Sequence, residues 1–206
     1  QRAGVFVPAL NRAMQRYRID SPVRQAAFLA QIGHESGQLK WVKELWGPTP
    51  AQQKYEGRKA LGNTEPGDGR RFSGKGLIQI TGRENYRRAG AALGLPLLDN
   101  PELLEQPEWA AASAAWWWAN HGLNELADAG EFEKITRVIN GGLNGQDDRL
   151  ALWSERRGCW HDLAAQLLEA AARRPTAVPI RRRWLARGQR TNGCRLEGKM
   201  GSASGG

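Results

Sequence analysis

Between Gly62 and Gly76 the chain places five glycines and one proline, a density that neither a helix nor a long strand tolerates. This segment interrupts a body whose apolar residues otherwise recur at helical spacing, punctuated by caps and glycines. Val5, Leu10, Met14 and Tyr17 predict a first helix. Ser21-Pro22 is a helix start, Val23, Ala27, Leu29 and Ile32 continue it, and Gly37 is placed to end it, which puts Glu35 in the last turn. Thr49-Pro50 opens a short helix running into Tyr55 and Glu56. Leu77, Ile78 and Ile80 make a short apolar run, a strand or an extended buried segment, that stops at Thr81. A helix is predicted from Thr81 to Leu93, closed by Gly94. The Asp99-Asn100-Pro101 turn then leads to a helical pair around Leu103 and over Trp109 to Asn120. Phe132 to Ile139 and Asp148 to Ala172 complete a mainly α fold class.

Charge divides the chain. Residues 1–172 hold 21 Lys and Arg against 20 Asp and Glu, whereas 173–206 hold nine against one, so nearly all of the +9 lies in the tail. The expected organisation is one folded domain over 1–172 and a basic, poorly ordered tail over 173–206. A near-neutral body gives no nucleic-acid footprint, and no nucleic-acid partner is expected. No apolar run approaches the roughly 18 to 20 residues that cross a bilayer, and the N-terminus lacks the order of a signal peptide. Two cysteines, Cys159 and Cys194, are too few for a disulfide scaffold and are expected as free thiols.

Glu35 ends an otherwise apolar helix, after His34 and before a Ser-Gly break, where a carboxyl can face a cleft. Partial burial there would favour the protonated form that a general acid needs. Four blocks follow in order: Gln31-Ile-Gly-His-Glu-Ser-Gly37, Tyr55-Glu-Gly-Arg58, Phe72-Ser-Gly-Lys-Gly-Leu-Ile-Gln-Ile-Thr-Gly-Arg-Glu-Asn-Tyr86 and Ile139-Asn-Gly-Gly-Leu143. Together they resemble glycoside hydrolase family 19, which includes plant and bacterial chitinases and phage endolysins. The resemblance covers roughly residues 23–160 and implies a lysozyme-like, two-lobed helical domain with a central cleft and at most a very small β element.

It also implies roles. Glu35 matches the general acid that protonates the glycosidic oxygen, Glu56 the general base that activates water on the opposite face of the sugar, and Thr81 the hydroxyl that helps hold that water. Gln79, Asn85 and Asn140 match polar residues lining the substrate cleft, and Tyr55, Trp41 and Arg149 join them as candidate substrate contacts. The family inverts anomeric configuration, which requires the two carboxyls to stand about 6.5–9.5 Å apart. Plant members carry a glutamate directly after the last block and, further on, an arginine that networks with the acid. Asn144 and Trp153 occupy those places here, and Arg149, one helical turn from Trp153, is the candidate substitute.

Acetal hydrolysis needs a proton donor and a base, and neither a metal nor a nucleotide, so no cofactor is expected. His34, His121 and His161 lack compact metal-ligand spacing. Gly74-Lys-Gly76 lacks the spacing and strand context of a phosphate loop. Trp116, Trp117 and Trp118 point in different directions on a helix and read as core rather than as one sugar platform. Trp41 and Trp46 are the better candidates for substrate contact.

The function expected is a peptidoglycan hydrolase, an endolysin that cleaves the β-1,4 bond between N-acetylmuramic acid and N-acetylglucosamine and lyses bacteria. The small undecorated body, the absence of an export signal and the Gly62–Gly76 segment look like the phage or prophage branch. A monomer made in the host cytoplasm and acting at the periplasmic wall is the expected setting. A chitinase acting on chitin oligomers is the alternative. Arg181 to Arg187, with Trp184 and Leu185 among four arginines, suggests a further one: a membrane-active tail that adheres to anionic outer-membrane lipid.

Overall fold

The computed structural model describes residues 2–156. Cys159, Cys194, the expected helical stretch past 156 and the basic segment 173–206 lie outside the described residues. The elements are α1 (Arg2–Arg16), α2 (Pro22–Glu35), α3 (Pro50–Gln53), α4 (Asp68–Arg71), α5 (Arg83–Leu93), α6 (Pro107–Asn120), α7 (Leu123–Asp128) and α8 (Phe132–Asn140), with 3-10 turns at Lys59–Leu61 and Pro101–Glu105. A ninth helix, α9, runs over 146–156. The class is mainly α and lysozyme-like, as expected.

Alanine sets the centre of the packing. Ala110, Ala111, Ala112, Ala114 and Ala115 of α6 are all buried, and their short side chains let α1, α5 and α7 approach the same helix. Trp118 is fully buried; its ring meets Phe28 edge-on with centroids 5.4 Å apart, and its Nε1 donates to Asn124 Oδ1 at 3.0 Å. Trp116 and Trp117 pack against the core while partly exposed, so the three tryptophans do diverge.

Local signals decide where helices stop. The Ser21 side chain caps α2, with Pro22 at its first position. A full Thr49/Gln52 capping box starts α3, which ends at Gln53 and leaves Tyr55 and Glu56 in the following turn. The helix expected from Thr81 begins instead at Arg83, because Gly82 has φ 93° and ψ 142°, outside helical geometry. A Cβ on Gly82 would also stand 2.7 Å from the Leu61 carbonyl oxygen. The glycine-rich segment does hold one short helix, α4, and α7 follows Gly122 without any periodic signal long enough to reveal it.

The apolar run at 77–80 closes a tight hairpin: Lys75 and Ile80 exchange backbone hydrogen bonds of 3.1 and 2.8 Å. Residues 42–44 lie antiparallel on its other edge, with Gly76 N donating to Val42 O and Glu44 N to Gly74 O. This is the only β pairing among the described residues. Gly76 packs so tightly on α6 that a Cβ would sit 2.9 Å from Ser113 Oγ. No helix of the described residues is long and apolar enough to cross a membrane.

Candidate active site

Glu35 is the final residue of α2, and the chain breaks sharply after it. Ser36 is buried; its Oγ donates to Ile32 O and accepts from Leu39 N. Gly37, Gln38 and Leu39 all take positive φ, an arrangement that only a well-held turn sustains. The Glu35 side chain is 22% exposed and bonds through Oε1 to Arg149 Nη2 at 2.5 Å. Arg149, on α9, is 1% exposed. Its other nitrogens donate to Gln31 Oε1 and, at 3.4 Å, to Asn144 O. Gln31, also buried, donates in turn to Thr136 Oγ1. One residue away, His34 Nδ1 meets Asp148 Oδ2 at 2.6 Å. The start of α9 is therefore clamped to the end of α2 by two adjacent pairs. Arg149 was expected both as a substrate contact and as the substitute for the arginine that networks with the acid; its bonds to Glu35, Gln31 and Asn144 fit the second of these.

A second carboxyl stands on the hairpin side, and sequence reading passed over it. Glu44 Oε1 accepts from Gln52 Nε2 at 2.9 Å and from the Tyr55 hydroxyl at 3.4 Å, and its Oε2 accepts from Gly74 N at 3.1 Å. Gly74 in turn abuts the hairpin end: a Cβ there would lie 2.7 Å from Gln79 Oε1 and 3.3 Å from Thr81 Oγ1. Glu44, Gln79 and Thr81 thus surround one glycine. The path back to Glu35 is short. Trp41 N donates to Ser36 O at 2.8 Å, so the chain has returned to the end of α2 by residue 41, and three further residues reach at most about 11 Å. The available signal was an acidic residue between Trp41 and Trp46, directly after the Glu35 break.

Glu56, the base expected from the resemblance, is held by backbone. It is exposed, and both oxygens are engaged by backbone: Oε1 by Gly67 N at 2.7 Å and Oε2 by Gly69 N at 2.9 Å. Gly69 lies so close that a Cβ would stand 2.7 Å from Glu56 N. Below this loop, buried Asp68 accepts from Arg83 and from the amides of Thr64 and Glu65. The Arg83 guanidinium holds the Asp68 carboxyl below its ordinary range. Asn63, fully buried, bridges Tyr55 O and Arg83 N.

The remaining expected residues divide. Gln79 takes φ 57°, unusual for a side-chain-bearing residue, and its Nε2 donates to Gly76 O. Thr81 Oγ1 donates to Gln79 O, and Asn85 Nδ2 to Thr81 O. Tyr55 contacts Glu44 directly, and burial first, then that carboxylate, raises its hydroxyl above the ordinary range. Trp41 is 42% exposed beneath Lys40. Asn140 ends α8 with its Nδ2 buried and without a hydrogen-bond partner among the described residues. A cavity of about 670 Å³ opens beside Glu44, lined by Lys43, Leu45, Trp46, Arg70, Ser73 and Lys75 among others. Among the described residues no cluster of His, Cys, Asp and Glu could hold a metal ion.

Comparison with known proteins gives a consistent picture. The family model described as Chitinase class I, of glycosyl hydrolase family 19, matches residues 20–129, more than half of the 206. A Haemophilus influenzae protein described as containing a glycosyl hydrolase family 19 domain is 33% identical over 177 residues, covering 73% of this chain and 86% of that protein. An Arabidopsis thaliana endochitinase is 38% identical over 117 residues, and the match spans 57% of this chain and only 38% of the endochitinase. Chitinase C from Streptomyces griseus superposes with TM-score 0.59 at 26% identity, covering 74% of this chain and 68% of that one.

Proposed function

Since the chain belongs to glycoside hydrolase family 19, we propose that it hydrolyses β-1,4 amino-sugar linkages with Glu35 as general acid and Glu44, rather than Glu56, as the base that activates water. The carrying observation is the Glu44–Gly74 hydrogen bond, which sets a carboxylate beside Thr81 and Gln79 and within a short reach of the α2 terminus. Glu56, bonded to Gly67 N and Gly69 N, acts in this reading as a staple for the 67–69 loop; Glu44 is also hydrogen-bonded through both oxygens, and the choice of it rests on its contact with Gly74, the glycine that Gln79 and Thr81 adjoin. In this reading the Thr81 hydroxyl, whose own proton goes to Gln79 O, accepts from a water that Glu44 activates, and that water would attack the sugar face opposite Glu35. Attack from the face opposite the acid would invert the anomeric configuration. Residues 1–172 form the catalytic domain of this reading, and 173–206 a basic appendage to it.

The substrate we favour is peptidoglycan, cut between N-acetylmuramic acid and N-acetylglucosamine at the bacterial wall. Supporting it is the charged lining of the cavity beside Glu44, which a neutral polymer does not call for. Chitin is the second reading, supported by the chitinase names of several relatives. The test is digestion of purified peptidoglycan and of chitin oligomers by wild type, Glu35→Gln, Glu44→Gln and Glu56→Gln, with mass spectrometry of the new ends. Glu35→Gln and Glu44→Gln should each lose about 100-fold or more in kcat, and Glu56→Gln should stay within several-fold of wild type. Full activity of Glu44→Gln with a silent Glu56→Gln would return the base to Glu56.

A further inference from the structure

The cavity beside Glu44 carries charge that the acid and base do not use. Lys75 is 6% exposed, yet among the described residues its Nζ has one hydrogen bond, to Arg71 O at 3.1 Å, besides lying 5.7 Å from the centre of the Tyr86 ring, and an ammonium has three donors to place. Glu102 and Glu105 line the same cavity and oppose the burial that pushes Lys75 towards neutrality. Lys43 is paired with Glu105 at 3.1 Å on the rim. Arg70 also lines the cavity, is exposed, and has no side-chain hydrogen bond or ion pair among the described residues. The cavity thus offers a guanidinium that has no partner among the described residues and an incompletely bonded ammonium, flanked by Glu102 and Glu105 in addition to Glu44.

An N-acetylglucosamine polymer is uncharged and meets such a wall only with hydroxyl and amide hydrogen bonds, whereas a ligand carboxylate would also neutralise fixed charge whose desolvation without a partner is costly. Peptidoglycan differs from chitin at one place: its muramic acid bears, through a lactyl ether, a short peptide with free carboxylates and often an ammonium. That peptide leaves the glycan on alternate sugars, so a cleft that aligns the strand must seat it to one side. We propose that the cavity beside Glu44 is a subsite for this stem peptide, with Arg70 and Lys75 as its carboxylate contacts. The assignment rests on the peptidoglycan reading above and adds to it the determinant that separates the two polymers.

The experiment compares kcat/KM of wild type and Arg70→Glu on three soluble substrates: peptide-bearing glycan strands, the same strands after enzymatic removal of their stem peptides, and chitin oligomers. Arg70 is exposed and unpartnered, so the variant should fold, which its melting temperature checks. Lys134→Glu, on α8, serves as a charge control. The expected result is a fall of fivefold or more in the ratio of peptide-bearing to stripped strands for Arg70→Glu and none for Lys134→Glu. An unchanged ratio overturns the subsite while leaving peptidoglycan hydrolysis standing. A fall shared equally by all three substrates likewise overturns it. Wild type that cuts chitin and leaves both peptidoglycan substrates intact overturns the substrate reading and the subsite together.

Discussion

Replacing Arg149 by methionine tests how Glu35 is held. The guanidinium is 1% exposed and satisfies Gln31 Oε1, Glu35 Oε1 and Asn144 O. Without it the buried Gln31 oxygen keeps no donor, at a cost of about 1–3 kcal/mol. Breaking a buried ion pair costs about 3–5 kcal/mol, but Glu35 is 22% exposed and water can partly replace its partner, so the lower end applies. Together the two come to about 4–6 kcal/mol, which corresponds to a melting temperature lowered by roughly 8–24 °C for a domain of this size. Catalysis should suffer separately. A carboxyl freed from its anchor no longer waits beside the glycosidic oxygen, and kcat should fall about tenfold or more while KM changes little. Thermal melts, together with kcat and KM on a glycan the wild type cleaves, read the two effects. A variant that melts early but keeps kcat within twofold would refute the positioning role and leave Arg149 a purely structural residue.

Three further outcomes follow from the loops. Asp68 has a depressed carboxyl, so its contribution to stability is complete above the ordinary carboxylate range near pH 4 and is lost as pH falls through the lower folded value. Urea melts should therefore show a steeper acid loss for wild type than for Asp68→Asn, and equal slopes would discount the Asp68–Arg83 pair. Gly69→Ala places a Cβ 2.7 Å from Glu56 N and should cost about 1–3 kcal/mol through displacement of the 54–57 turn, measured by chemical denaturation. Gly145→Ala combines a positive φ of 72° with overlap of the His34 ring. It should lower both melting temperature and kcat, because the clamp that seats α9 on α2 passes through that contact.

Helices announced themselves in the sequence wherever a cap coincided with an apolar period. Ser21-Pro22 and Thr49-Pro50 carry their own start chemistry, and both begin helices as read. Boundaries slipped where backbone conformation overrode side-chain pattern, as at Gly82, whose φ of 93° delays α5 by two residues. The short α4 and α7 are shorter than the window any periodicity needs. The candidate site was legible in its residue types but not in its pairings. Matching Glu56 by motif position could not reveal that Gly67 and Gly69 would take both of its oxygens, since those bonds join residues 11 and 13 positions apart across an irregular loop. Glu44, the base of the proposed reading, is hidden in the sequence for the converse reason. Nothing local marks it, and its standing comes from Gly74, 30 residues away, and from the turn that brings residue 41 back to Ser36.

The anchoring of Glu35 shows how a departure from a family pattern can preserve its physics. The resemblance placed a networking arginine at the position of Trp153 and a glutamate at Asn144. Arg149 precedes Trp153 by four residues on the same helix, and positions four apart lie on one face, so a guanidinium at 149 reaches Glu35 from one turn earlier. Trp153 takes a different task, stacking on Phe132 with centroids 4.3 Å apart and planes within 3° of parallel. The missing glutamate is replaced by less charge: Gln31 Oε1 and the Asn144 carbonyl accept from Arg149 in its stead. A neutral pair in place of a second carboxylate leaves Glu35 as the one anionic partner of Arg149 among the described residues. The Gln31→Glu variant should therefore weaken the hold on Glu35 by dividing the guanidinium between two charges, and a kcat unaffected by that change would show that Arg149 serves Gln31 and α9 rather than the acid.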